Sequence, residues 1–470
     1  MSDLKATVRE TGVGFHVEGF EKIEYDFTFV DGVFNITNPD LANCYNKWGR
    51  VLAVTDKNVY AIYGHKMEEY FQHFNLDFKV HQTSIGEKAK TIDTFLSICD
   101  SMTDFGIIRK EPVLVVGGGL VTDVAGFACA AYRRNTNFIR VPTTVIGLID
   151  ASVSIKVAVN YGRYKNRLGA YHAPLHTFLD FNFLRTLPIS QVRNGFAELI
   201  KISSCAHLEV FGMLDKFCEQ LIETKFGRNE GSPIDVRKAA DIINRQGIYE
   251  MLKLESPNLH EIELDRVIAY GHTWSPLHEL LPETPLRHGH AISIDMAYSA
   301  TLANQRGLLP DDDHHRLLNL FSRAGLSIDH PQFDEQVIEK GTAAILKTRD
   351  GLLRLAVPSP LGFCAFINDA DVQELKDTLR KHKSLTKTFP REGAGIEAYV
   401  DNSDTGYTDL AAENMGVSHT LKTAGVNIPI NVQDGNIKTK TSRKGLVNGH
   451  DGDPPRAPVN SLVEGIKAQA

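Results

Sequence analysis

The sequence predicts two folded parts in series, an α/β domain built on a mainly parallel sheet and then a mainly α-helical domain. Three observations carry this prediction. From residue 50 to about 142, short apolar β-prone runs alternate with amphipathic helical runs, as parallel strands with covering helices require. Within that alternation the apolar run 113–116 ends in Gly117, Gly118 and Gly119 and passes directly into a helical pattern. After Pro188 the strand signal stops and long segments of helical period take over.

Each element follows from its own pattern. Residues 13–37 alternate apolar and polar side chains, which predicts a hairpin or a pair of edge strands. Residues 50–55 read as a buried strand, 56–74 as a helix and 78–83 as a strand. Over 91–105, Ile92, Phe95, Leu96, Cys99 and Met102 fall on one helical face. In the helix after the glycines, Leu120, Val124, Phe127, Ala128 and Ala131 keep helical spacing. Residues 137–142 form a further strand ending at Thr143 and Thr144, and 178–180 a short one. Helices are predicted over 191–216, 234–254, 265–281, 290–305 and 312–324. This places one domain at 1–188, a second at 189–383, and a polar tail over 384–470. The tail is rich in Gly, Asn, Asp, Thr and Lys, and is expected to be disordered.

Composition excludes several function classes. A chain of 470 residues with 42% hydrophobic and 23% charged residues is ordinary for a soluble globular protein. Its net charge of -7, with no large basic block, argues against nucleic acid as a partner and leaves room for a small anionic substrate. No apolar run approaches a membrane span, and the first residues lack an apolar signal region. Cys44, Cys99, Cys129, Cys205, Cys218 and Cys364 are scattered without a CxxC pair, as free thiols in a reducing compartment would be. Together these predict a cytoplasmic protein.

Candidate chemistry clusters in two places. Strand, glycine turn and helix form the layout that cradles a phosphate, because free N–H groups at the helix start favour an anion. The third glycine falls at Gly126 rather than at position 122, so tight packing is the competing explanation of the glycines. Downstream, Asp150 and Lys156 interrupt an apolar, β-prone run, where a lone charge is costly. Lys165, Asn166 and Arg167 add donors suited to phosphate. In the helical half, Glu198, His272 and His288 make up one carboxylate and two imidazoles, a common catalytic zinc set. No local spacing links them, and His278 and His290 compete within the same segments.

The runs GGGLVTDVAGFACAAYRR, VPTT, IDASVSIKVAVN, KNRLGAY, FAELIK and GHTW, followed by HGH, resemble the 3-dehydroquinate synthase-like sugar phosphate cyclases over roughly residues 10–385. The resemblance implies a Rossmann-like NAD-binding domain, a helical metal-binding domain and a homodimer. Gly117, Gly118, Gly119, Asp123, Thr143 and Thr144 match its NAD-binding positions. Asp150, Lys156, Lys165 and Asn166 match residues at cofactor and substrate. Arg134 matches an arginine that helps hold the substrate phosphate across the dimer, and Lys201 a substrate-contacting lysine. Glu198, His272 and His288 match the ligands of a divalent metal, normally zinc.

The departures point to a branch. Dehydroquinate synthases carry GHxxGH, but Pro276 stands at the second histidine, and proline has no side-chain proton to exchange. Where they have Asn, this chain has Ala269. Ala269 and Thr348 are similar to the desmethyl-4-deoxygadusol synthases, which act on sedoheptulose 7-phosphate, whereas valiolone synthases typically carry Asp and His there. The resemblance therefore implies a cyclase and lyase that recycles its NAD. The alternatives are a 2-epi-5-epi-valiolone synthase, a 3-dehydroquinate synthase, a metal-dependent polyol dehydrogenase on the same scaffold, or a catalytically dead interaction protein.

Overall fold

The computed structural model describes residues 4–84, 86–162 and 164–401. In chain order it opens with β1 (Leu4–Thr11), β2 (Gly14–Glu21), β3 (Asp26–Phe29), α1 (Asp40–Asn43), β4 (Arg50–Asp56), α2 (Lys57–His73) and β5 (Asp77–Thr83). Then come α3 (Ile92–Phe105), β6 (Val113–Gly117), α4 (Gly119–Ala131), β7 (Phe138–Pro142), β8 (Lys156–Tyr161), β9 (Tyr164–Tyr171) and β10 (His176–Leu179). The helical half comprises α5 (Ile189–Ala206), α6 (Leu208–Glu223), α7 (Ile234–Glu255), α8 (Ser275–His278), α9 (His288–Gln305), α10 (Asp311–Arg323) and α11 (Glu335–Thr348). It closes with the hairpin β11 (Leu355–Pro358) and β12 (Cys364–Ile367), then α12 (Val372–Thr386).

Six strands form one sheet in the order β3-β10-β7-β6-β4-β5, every pair parallel. Its inner strands β4, β6, β7 and β10 are buried almost along their whole length because both faces are covered, while the edge strands β3 and β5 stay partly exposed. On β6, Leu114 and Val116 join a core with Tyr70 and Phe71 of α2, while Val113 and Val115 face Ile98 of α3 and Val124 of α4. The third and largest core belongs to the helices but takes in Val145, Leu148, Ile149 and Val153, so the turn after β7 is packed against α5. That packing brings Asp150 to the helical half.

The structure amends several expectations. The hairpin is formed by β1 and β2, earlier than expected, because Leu4, Ala6 and Val8 extend the alternation; β3 instead joins the sheet edge. On α3, Leu96 is exposed and Ile98 takes the core position. The helix expected over 191–216 breaks at His207, whose backbone is extended (φ -153°, ψ 86°). The segment 265–281 is mostly loop, with a 3-10 turn at Val267–Ala269 and a four-residue helix at Ser275–His278. Gly126 lies inside α4, where an added Cβ would stand 2.4 Å from Val157 of β8; it is a helix-to-hairpin contact and lies outside the glycine cradle. The residue expected to open the tail sits inside α12, and Ile396, Ala398 and Val400 make backbone hydrogen bonds with Gly325, Arg287 and Pro285. The rest of the expected tail lies outside the described residues. No helix among the described residues is long and apolar enough to cross a membrane.

Buried histidines should make the helical half acid-sensitive. His382 Nε2 donates to the Ile328 carbonyl, and the Thr301 hydroxyl links its Nδ1 to His314 Nε2. Burial pushes both histidines down from 6.5 to about 4, so each is neutral in the fold. Below pH 6.5 the unfolded chain binds the extra proton first, so their stabilisation is complete above that pH and is lost as pH falls towards 4. His382 alone accounts for on the order of 3 kcal/mol of that loss. The urea midpoint should therefore fall between pH 7 and pH 5, and fall less in His382→Gln; a midpoint independent of pH in wild type would contradict this.

Candidate active site

The carboxyl ends of the parallel strands and the start of α4 make one edge of the site. Gly118 precedes α4 and no side chain caps it, so the first N–H groups of the helix are free to meet an anion. A Cβ on Gly118 would lie 3.0 Å from Thr144 Cγ2, so the backbone passes close to the turn after β7 that carries Thr143 and Thr144. The Thr144 hydroxyl accepts the Gly147 N–H at 3.0 Å and shapes the turn that carries Asp150. At the neighbouring strand ends the buried hydroxyls of Thr55 and Thr83 lack hydrogen-bond partners among the described residues. This is an edge built to receive a polar ligand, and a dinucleotide fits its glycine-lined helix start.

Across from it, α5, α9 and the loop before α8 bring Glu198, His272 and His288 together, although the three are far apart in sequence. One ligand atom from each lies within 4.8 Å of the others. Glu198 Oε1 is 3.1 Å from His288 Nε2. His288 Nδ1 faces Glu279 Oε2 at 3.2 Å, and His272 Nδ1 donates to the Tyr270 carbonyl at 3.2 Å. Each imidazole thus uses Nδ1 on the protein and turns Nε2 to the shared space, the arrangement of a metal-ligating histidine. Burial, with the Lys201 charge, holds His272 at about 3, hence neutral and ready to ligate. Burial alone would also lower His288, but hydrogen bonds and charge from Glu198 and Glu279 outweigh it and lift His288 to about 9. A proton on its Nε2 thus sits where a cation would, so the donor set fits a divalent metal.

The competing histidines do not join this cluster. His278 is buried against His330 and Phe333. His290 faces the Ser327 hydroxyl. Both are held neutral, at about 3, by burial. Spacing could not separate these pairs, because it says nothing of what stands opposite each face.

Ion pairs connect the candidate metal ligands to Lys201 and, through Glu279, to Lys165, while Lys156 has its own pair of carboxylates. Lys201 Nζ lies 2.5 Å from Glu198 Oε2 and 3.8 Å from Asp150 Oδ1. Burial opposes its charge, yet Asp150 and Glu198 raise its pKa and keep it an ammonium. Lys165 Nζ meets Glu279 at 2.5 Å and Glu87 at 3.6 Å. Burial alone would raise Glu279, but Lys165 and His288 bring it down to about 2. Lys156 Nζ lies 3.0 Å from Glu255 and 3.1 Å from Glu261, and their charges outweigh burial and raise it. Lys90 donates to Asp123 Oδ2 and to Asn166 Oδ1, each at 2.5 Å. Asn166 itself has a left-handed backbone (φ 51°), and its N–H donates to the Asn160 amide oxygen.

Sequence reading missed Lys90, Glu255, Glu261 and Glu279, which hold the named residues in place. Their only local signal is a charge beside apolar neighbours, which many surface residues share. Arg134 is not brought to this cluster within the chain. It is exposed after the C-terminal end of α4, a helix of 13 residues and hence ~20 Å from the glycine cradle at its start. Thr348 is exposed and its hydroxyl bonds to the Ala344 carbonyl of its own helix, while Ala269 is buried. Pro276 lies in the first turn of α8, a position that suits its missing N–H.

Comparison with known proteins agrees with this geometry. Residues 80–194 match the 3-dehydroquinate synthase N-terminal family model and 195–347 the C-terminal one. The chain is 53% identical over 399 residues to the demethyl-4-deoxygadusol synthase of Trichormus variabilis, covering 85% of this chain and 97% of that protein. The structure of 2-epi-5-epi-valiolone synthase from Streptomyces hygroscopicus with NAD+ and Zn2+ bound superimposes with a TM-score of 0.73 at 34% identity, covering 79% of this chain and 99% of that one. A 2-deoxy-scyllo-inosose synthase complexed with carbaglucose-6-phosphate, NAD+ and Co2+ gives 0.62 at 25% identity, covering 77% and 97%. With both family halves matched in order and a possible metal-holding group at one place, the chain is an enzyme of the 3-dehydroquinate synthase family and belongs among its sugar phosphate cyclases.

Proposed function

We propose that the enzyme converts sedoheptulose 7-phosphate to desmethyl-4-deoxygadusol, releasing phosphate and one water with no net redox, as a first step towards gadusol- and mycosporine-type compounds. The observation that carries this branch is the 53% identity to a demethyl-4-deoxygadusol synthase, against 34% to the valiolone synthase of known structure. The same reading includes NAD and one divalent metal, since related structures hold NAD+ with Zn2+ or Co2+ and the residues here fit both groups. When bound, NAD takes up and returns a hydride, and the metal acts as a Lewis acid at a substrate oxygen.

Glu198, His272 and His288 hold the metal. Gly117, Gly118 and Gly119, with Asp123, Thr143 and Thr144, seat the NAD, and Asp150 and Lys165 stand where cofactor and substrate meet. Lys156 stays charged between Glu255 and Glu261 and grips the substrate phosphate. Lys90 occupies the amide oxygen of Asn166, which leaves the Asn166 amino group to donate to the same phosphate. Lys201, held as an ammonium, donates to a substrate oxygen beside the metal. With Pro276 unable to carry a proton, the proton removed during elimination goes to the substrate's own phosphate. Arg134 completes the phosphate grip from a second copy in a homodimer.

Incubation with sedoheptulose 7-phosphate, NAD and zinc, followed by mass analysis of the product, tests this. A product lighter by phosphoric acid and one water is expected. Loss of phosphoric acid alone would make the enzyme a valiolone synthase. Stoichiometric formation of NADH would make it a polyol dehydrogenase.

A further inference from the structure

The three metal donors come from α5, from the loop before α8 and from α9, and α9 holds the other two in register. His288 is its first residue. About two turns further along the same helix, Asp295 is completely buried. Its Oδ2 accepts three consecutive backbone N–H groups, from Thr273 at 2.9 Å, Trp274 at 2.5 Å and Ser275 at 2.8 Å. Its Oδ1 is 3.2 Å from the Ser299 hydroxyl.

The three N–H groups follow His272 directly, so the carboxylate closes the loop immediately after that ligand. On the other side of His272 the loop is pressed on the same helix. The Tyr270 hydroxyl donates to the Met296 carbonyl at 2.8 Å. Gly271 has a left-handed backbone (φ +77°), and a Cβ there would stand 2.5 Å from Met296 Cγ. Three N–H groups converging on one point form a concavity for an anion. Here the anion is part of the protein, fixed to the helix that also starts with His288. This explains why the helical periodicity of 265–281 yields a loop: the N–H groups of 273–275 are bound to Asp295.

Resting on the metal-site reading above, we propose that Asp295 is a positioning residue for metal binding, holding the loop of His272 so that its Nε2 meets Glu198 and His288 before any metal arrives. Asp295→Asn keeps the size of the side chain and removes the charge that the three N–H groups face.

The test measures zinc affinity by chelator competition, the visible spectrum of the cobalt-substituted protein, and NAD affinity as a control for folding. Loss of an outer partner of a metal ligand weakens metal binding by ~10–100-fold. Asp295→Asn is expected to lose zinc affinity to that extent and to shift the cobalt bands, with NAD affinity unchanged. Wild-type zinc affinity together with an unaltered cobalt spectrum in Asp295→Asn would overturn the proposal. If the wild type holds no zinc and His272→Ala changes nothing, the metal-site reading itself falls and takes this proposal with it. Should Asp295→Asn fail to fold, hydrogen exchange of wild type after zinc removal decides the matter. The amides of Thr273, Trp274 and Ser275 should stay protected, because Asp295 and not the metal holds them; rapid exchange there would overturn the proposal.

Discussion

Glu198→Gln should purify without stoichiometric zinc and lose on the order of 10³-fold in turnover. The size follows from where Glu198 sits. It is the only carboxylate of the three-residue donor set, it is completely buried, and it contacts both His288 and Lys201. Burial opposes its charge, but Lys201 and His288 hold it well below the usual carboxylate range, so it is an anion at every working pH. Glutamine keeps the shape and removes the charge, which a divalent ion needs more than a hydrogen bond does. Alanine would be a poorer test, because Lys201 is 2% exposed and would lose its nearest acceptor, which a glutamine amide oxygen still supplies. A buried ammonium left without that acceptor costs several kcal/mol of stability. Metal analysis of the purified variant checks the prediction, and a full complement of zinc would remove Glu198 from the ligand set.

Lys156→Ala should lose about 10²-fold in kcat/KM while binding NAD as tightly as wild type, since a charge-assisted hydrogen bond to phosphate is worth roughly 1.5–3 kcal/mol. Lys156 begins β8, and its ammonium stands between two carboxylates. Glu261 retains Arg266 when the lysine is removed. Glu255 is raised by burial and takes up a proton more readily once its partner is gone, which limits the structural damage. The loss should therefore appear in catalysis and not in folding. Steady-state kinetics beside an NAD titration separate the two, and near wild-type kcat/KM would take Lys156 out of the phosphate grip.

Much of the architecture was legible because it is decided within a few residues. The apolar runs 51–54 and 113–116 have strand length and no polar face, which only a doubly covered parallel strand tolerates. Asp56, Thr91 and Asp371 accept N–H groups as caps where the sequence places a polar residue before a helical run. The candidate metal ligands, glycine cradle and lysines were named through runs of residues whose order could be recognised, although nothing in their spacing joins Glu198 to His272.

What the sequence determined by itself is the set of elements and the types of chemical group the chain carries, since periodicity, caps and side-chain chemistry are local properties. The tertiary structure decided which charges meet. His272 and His288 face Glu198 while His278 and His290 face protein, and the difference lies in what packs opposite each ring. Glu279 became the partner of His288 and Lys165, and Asp295 turned a helix-like stretch into the loop of His272. A buried charge is stable only beside its counter-charge or its donors, and those come from segments far along the chain, so only the packing of α5, α8 and α9 together could assign them.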